Sequence, residues 1–182
     1  MLMDAHRSQL LVIDMQERVL PAIHDHERVT ANVGWLIGAA RRIGVPVAAT
    51  ELYPKGLGRT VAAVKALLPD GAIAEKTHFS CAAAKCLSPL PGADRPQVVV
   101  AGVEAHVCVL QTALELLEEG KEVYVVADCV GSRRAADRDV ALTRMRDEGV
   151  RVVTREMVVF EWLGEAGTPL FKAVSRDFLK NG

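Results

Sequence analysis

The stretch Gln97-Val-Val-Val-Ala-Gly-Val-Glu-Ala-His-Val-Cys108, continued by Val109-Leu-Gln-Thr-Ala-Leu-Glu-Leu-Leu-Glu-Glu-Gly120, decides the fold. Val98, Val99 and Val100 form a β-branched apolar run, which reads as a buried strand. Gly102 marks a sharp turn. Leu110, Ala113, Leu114 and Leu117 then repeat at i, i+3, i+4 and i+7, the spacing of one helix face, and Gly120 supplies a stop. Cys108 therefore falls in the first turn of a helix that begins just past the C-terminal end of a strand. Partial positive charge at a helix N-terminus favours thiolate over thiol. Crevices off strand C-termini are where open α/β sheets bind ligands. A cysteine in that place is a candidate nucleophile with an expected depressed pKa, reactive towards alkylating agents near pH 6.

The same alternation runs along the rest of the chain. Strands are predicted at Gln9–Asp14, Val45–Thr50, Ala72–Glu75, Gln97–Ala101, Glu122–Ala127 and Val150–Thr154. Helices are predicted at Glu27–Ile43, Thr60–Leu68, Cys81–Leu87, Ala105–Glu119, Ala135–Glu148 and Thr168–Leu179. Leu10-Leu-Val-Ile13 and Val123-Tyr-Val-Val126 are apolar throughout, as strands covered on both faces must be. The fold class that follows is α/β: a three-layer α/β/α sandwich around a Rossmann-like, mostly parallel six-stranded sheet. No linker or low-complexity tract divides the chain, so a single domain over residues 1–182 is expected. The apolar tail Val158-Val-Phe-Glu-Trp-Leu163 reads as core or interface.

Composition narrows the function. The 182 residues are half hydrophobic and carry a net charge of −1. That balance gives no electrostatic case for nucleic acid or an anionic membrane. Aromatics are 4% of the chain, too few for base-stacking platforms. No apolar run reaches membrane-spanning length and no signal-peptide pattern opens the chain, so a cytoplasmic protein acting on a small molecule is expected. The cysteines, Cys81, Cys86, Cys108 and Cys129, show no C-x-x-C spacing and are expected reduced.

Two further residues join Cys108 at strand ends. Asp14 closes Leu11-Val-Ile-Asp14, and Lys76 follows Ala72-Ile-Ala-Glu75. Read alone, Asp14 is equally an N-cap and Lys76 a solvated lysine. Together with Cys108 they form a plausible acid–base–nucleophile set, in which the lysine favours the charged forms of its neighbours. Cys129 also follows a strand, but Gly131 and Ser132 place it beside a loop and it reads as structural. Asp128 is a candidate for fixing that loop. His106, two residues before Cys108, invites a Cys–His dyad, but positions i and i+2 diverge on a helix. Gln16, Tyr53 and Phe79 are candidate pocket residues, each with a packing or solvent-exposed alternative.

Asp14, Lys76 and Cys108, with the wording around them, resemble the isochorismatase-like cysteine hydrolase family. The resemblance covers Val12-Ile-Asp-Met-Gln16, Thr50-Glu-Leu-Tyr-Pro-Lys-Gly-Leu-Gly58, Glu75-Lys-Thr-His-Phe-Ser-Cys81, Ala101-Gly-Val-Glu-Ala-His-Val-Cys108 and Val125-Val-Ala-Asp-Cys-Val-Gly-Ser-Arg133. The wording is most similar to the isochorismatase-domain-containing subgroup. The resemblance implies a triad of Asp14, Lys76 and Cys108. It also implies a cis peptide between Val103 and Glu104 and an oxyanion hole from the Glu104 and Cys108 amides. Gln16, Tyr53, Phe79 and Val103 are the expected substrate-binding residues. The resemblance further implies a homo-oligomer. Family members that deamidate nicotinamide bind a metal through an Asp-x-His motif. Here that stretch reads Glu51-Leu-Tyr53, so no metal and no cofactor are expected. Members that cleave a vinyl ether do without the cysteine, so Cys108 favours amide or carbamoyl chemistry. Vinyl-ether hydrolysis and a non-catalytic binding role are the alternatives.

Overall fold

A computed structural model describes residues 1–180. Six strands form one sheet: β1 (Ser8–Ile13), β2 (Val47–Leu52), β3 (Ile73–Lys76), β4 (Gln97–Val103), β5 (Glu122–Gly131) and β6 (Arg151–Val153). Their order is β3-β2-β1-β4-β5-β6, and every neighbouring pair is parallel. The sheet is thus entirely parallel, a step beyond the mostly parallel expectation.

The apolar runs alternate between two layers. Leu10, Val12, Val99, Ala101, Tyr124 and Val126 face one cluster, which α1 (His26–Ile43) covers with Val29, Val33, Leu36 and Ile37. Leu11, Ile13, Val98, Val100, Val123 and Val125 face the other. There α4 (Leu110–Glu118) contributes Leu110, Ala113 and Leu116, and α5 (Ala135–Asp147) contributes Ala141, Leu142 and Met145. Successive strand side chains point to opposite faces, so a strand between two helical layers is apolar at every position.

The remaining helices are short: α2 (Pro54–Leu57), α3 (Ala62–Lys65), α6 (Arg155–Leu163) and α7 (Pro169–Val174). Several expectations change here. β4 runs through Gly102 to Val103, so that glycine is not a turn, and β5 runs to Gly131, so Asp128 and Cys129 lie within the strand and not beside a loop. Cys81–Leu87 is a set of turns instead of a helix. Lys85 takes a positive φ of 51°, and Glu115 accepts from the Ser80 hydroxyl (2.6 Å) and the Ala83 amide (3.0 Å), which holds the segment in a non-helical path. The apolar tail is helix α6, opened by Thr154, whose hydroxyl accepts from the Met157 amide, and buried through Val158, Val159 and Trp162.

β1 and β4 lie side by side at the centre, and the connections leave them in opposite directions. In a sheet of this order the crevice between such strands is the natural ligand site.

Candidate active site

Asp14 follows β1 in the left-handed region, at φ 49°, a conformation that a short polar residue tolerates. Its amide donates to the Thr50 carbonyl (3.1 Å), which fixes it at the strand end. Its carboxylate is fully engaged on one side: Oδ1 accepts from Thr50 Oγ1 at 2.7 Å and Oδ2 from Lys76 Nζ at 2.7 Å. Lys76, the last residue of β3, also donates to the Phe79 carbonyl at 2.8 Å. Both side chains of this ion pair are withdrawn from solvent. Separating such a pair is costly because it strands a buried charge.

Cys108 lies in a single π-helical turn, Ala105–Val109, that joins β4 to α4. It is 4% exposed and lines a pocket of about 350 Å³ together with Asp14, Phe79, Val103 and Glu104. The structure thus brings Asp14, Lys76 and Cys108 to one place from three strand ends. It does not give the thiol the depressed pKa expected of a helix start. Burial, then the adjacent Asp14 charge and hydrogen bonding to it, push Cys108 up to about 12, and Lys76 only partly opposes this. The lysine charge is already matched by Asp14, so little of it remains to hold a thiolate.

The Val103–Glu104 peptide is cis. The Glu104 carboxylate accepts from the Arg133 amide (3.1 Å) and from Arg133 Nε (3.0 Å). His106 turns to Ser132 (Nδ1···Oγ 2.9 Å). Cys129 is buried on the α1 side of the sheet, where loss of solvent keeps its thiol well above the ordinary value. Asp128 accepts from the Arg155 amide (2.9 Å) and so anchors the start of α6.

Two candidate substrate contacts stand elsewhere. Gln16 is fully buried; its amide group donates to the carbonyls of Leu52 (2.9 Å) and Gly58 (2.8 Å) and accepts from the Leu52 amide (2.8 Å). It staples the α2 loop to β1 and is not exposed to the pocket. Tyr53, 55% exposed, borders a neighbouring groove with Thr77 and His78. Glu51 is occupied by its own neighbours. Thr60 donates its amide (2.7 Å) and hydroxyl (2.8 Å), and Arg59 its guanidinium (2.9 Å). Those bonds hold the Glu51 carboxyl below the usual range against the opposing effect of burial. Among the described residues no three His, Cys, Asp or Glu side chains group as metal ligands.

Sequence reasoning missed the pocket walls Val19, Ala22, Leu52, Leu57 and Val107, and the two arginines at its mouth, Arg18 and Arg133. Arg18 lies four residues past Asp14, in the loop leaving β1. Loops at strand C-termini face the crevice by construction, and that rule was the available signal.

The isochorismatase domain model matches residues 8–157. Isochorismatase domain-containing protein 2 from Danio rerio is 41% identical over 172 residues, which is 93% of this chain and 85% of that protein. The MAR1 ribonuclease structure from Caenorhabditis elegans superposes with a TM-score of 0.88 at 36% identity, covering 98% of this chain and 93% of that one. YcaC from Pseudomonas aeruginosa, solved with hexane-2,5-diol and covalent acrylamide, superposes with a TM-score of 0.85 at 26% identity, covering 99% and 93%.

Proposed function

The chain belongs to the isochorismatase domain family, and from that premise we propose that it is a cysteine hydrolase that cleaves the C–N bond of a small amide or carbamoyl compound. The observation that carries this reading is the thiol of Cys108 beside the Asp14–Lys76 pair in the wall of a small, largely apolar pocket.

The sequence of steps follows from the protonation the site favours. Cys108 waits as a thiol, and Asp14 beside it is the base. As sulfur bonds to the substrate carbonyl carbon, the thiol proton passes to the Asp14 carboxylate. The amides of Glu104 and Cys108 receive the oxyanion. Asp14 then returns the proton to the leaving nitrogen and the C–N bond breaks. Water attacks the resulting thioester, giving its proton to Asp14, and the acid departs with restoration of the thiol. Lys76 touches Asp14 through both stages and keeps its oxygen aimed at the sulfur.

One observation favours a second reading. A thiol held up to about 12 is a poor resting nucleophile. Vinyl-ether hydrolysis with Asp14 as the acid would leave it idle. Ribonuclease activity, suggested by the name of the worm neighbour, finds no support in a net charge of −1. The deciding test is ammonia release from a panel of small amides and ureido compounds, with Cys108→Ala alongside. Turnover lost in the variant, with an acyl adduct on Cys108 in quenched wild type, supports the proposal. Full ammonia release without the thiol rejects the covalent cysteine route, whereas no release by either protein, with turnover of a vinyl ether that survives Cys108→Ala, rejects the proposal in favour of vinyl-ether chemistry.

A further inference from the structure

The charges around the pocket are not all balanced. Asp14 is matched by Lys76, and Glu104 by Arg133. Arg18 lines the same pocket, yet among the described residues no carboxylate lies within ion-pairing distance of it. Its position is nevertheless fixed. Its amide donates to the Leu57 carbonyl (3.1 Å) and its Nη1 to the Gly56 carbonyl (3.0 Å). These contacts tie the residue to the α2 loop from both ends of its length. They are neutral acceptors, so the full positive charge remains, and a guanidinium has five donors of which one is committed here. The pocket that Arg18 and Cys108 share is walled mainly by apolar side chains, among them Val19, Leu52, Leu57, Phe79 and Val107. The pocket, at about 350 Å³, stands at the small end of the usual range for ligand sites.

We propose that Arg18 is the specificity-determining residue of this site and selects amides that carry an anionic group, a carboxylate above all, at the far end of a short apolar chain. The inference rests on the reading of the Cys108 pocket as the substrate site. With the amide carbonyl at Cys108, the spacer lies on the apolar walls and the anion meets the unpaired guanidinium. A planar fork suits a carboxylate, which accepts two parallel N–H bonds from it. A neutral substrate of the same shape would leave that cation without a counter-charge.

The test separates binding from turnover. Full-length protein is alkylated with iodoacetamide at pH 9, and labelling of Cys108 is followed by peptide mass analysis. Succinamate and its neutral isostere succinamide are titrated as protecting ligands. In wild type, succinamate is expected to protect at concentrations at least tenfold below succinamide. Arg18→Gln removes that advantage, and Arg18→Lys keeps part of it. Arg18 is exposed, and an unchanged melting temperature confirms that each variant is folded. Equal protection by the two probes, protection by neither, or an advantage that survives Arg18→Gln overturns the proposal. Ammonia release from the probes is scored separately. Anion preference without any release leaves the anion site standing and counts against amide hydrolysis.

Discussion

Asp14→Asn removes the proposed base and leaves the Lys76 ammonium buried without its counter-charge. Turnover is expected to fall by at least about 100-fold, and unfolding free energy in urea by about 3–5 kcal/mol. Both are read on the same preparation. Cys108 is the second residue whose behaviour follows from its surroundings. The folded protein holds its proton up to about 12, against an ordinary value of 9.0. Below pH 9 both folded and unfolded thiols are protonated and the contribution to stability is complete. As pH rises from about 9 to about 12 the unfolded thiol ionises first, so that contribution is lost. Wild type should therefore lose stability relative to Cys108→Ala across that window, measured by urea titrations at stepped pH. Cys86 behaves in the opposite way. Hydrogen bonding with Cys81 draws it down to about 7, and it is half-buried. In the ligand-free protein at neutral pH, iodoacetamide should label Cys86 before Cys108, as peptide mapping will read. The position of Cys108 was legible in the sequence because strand, turn and helix signals meet around it. Its protonation was not, because the helix-terminus argument takes no account of burial or of a carboxylate from another strand.

At the scale of elements, the close approach of β1 and β4 depends on Gly102. Its φ is +114°, and a Cβ there would stand 2.1 Å from the Ile13 carbonyl oxygen. That oxygen belongs to the backbone and has nowhere to go. Gly102→Ala is expected to cost more than about 3 kcal/mol or to abolish folding, because steric overlap and a disfavoured φ act together. Denaturant unfolding of soluble protein, or its absence from the soluble fraction, checks this. The strands were the most legible elements, since β-branched runs such as Val98–Val100 have few other uses. The errors share one cause. Cys81–Leu87 has helix-forming composition but is governed by Glu115 of α4, a contact invisible to local pattern. α6 hid within a run whose apolar residues follow no clean period, though Thr154 before Arg155-Glu156 was an N-cap signal. Arg18 and Arg133 belong to loops, where sequence fixes neither direction nor neighbour.

At the scale of the whole molecule, the C-terminal segment closes the outer layer. Phe178 meets Trp35 edge to face with centroids 6.0 Å apart, its carbonyl accepts from Trp35 Nε1 (3.0 Å), and its ring lies against Gly38. Phe178→Ala should destabilise the protein by about 2 kcal/mol, less than a fully buried phenylalanine because the ring is only partly enclosed. The three-layer plan was legible from alternation alone, whereas this clamp, joining residues far apart in sequence, was not. The sheet also has an uneven perimeter. β3 has four residues, borders only β2, and ends in Lys76. Margins of a sheet open locally long before the centre does. One third of the proposed chemistry is thus mounted on a short edge strand of the sheet. Heating should extinguish catalysis several degrees before circular dichroism registers any melting, making turnover an early thermometer for that margin.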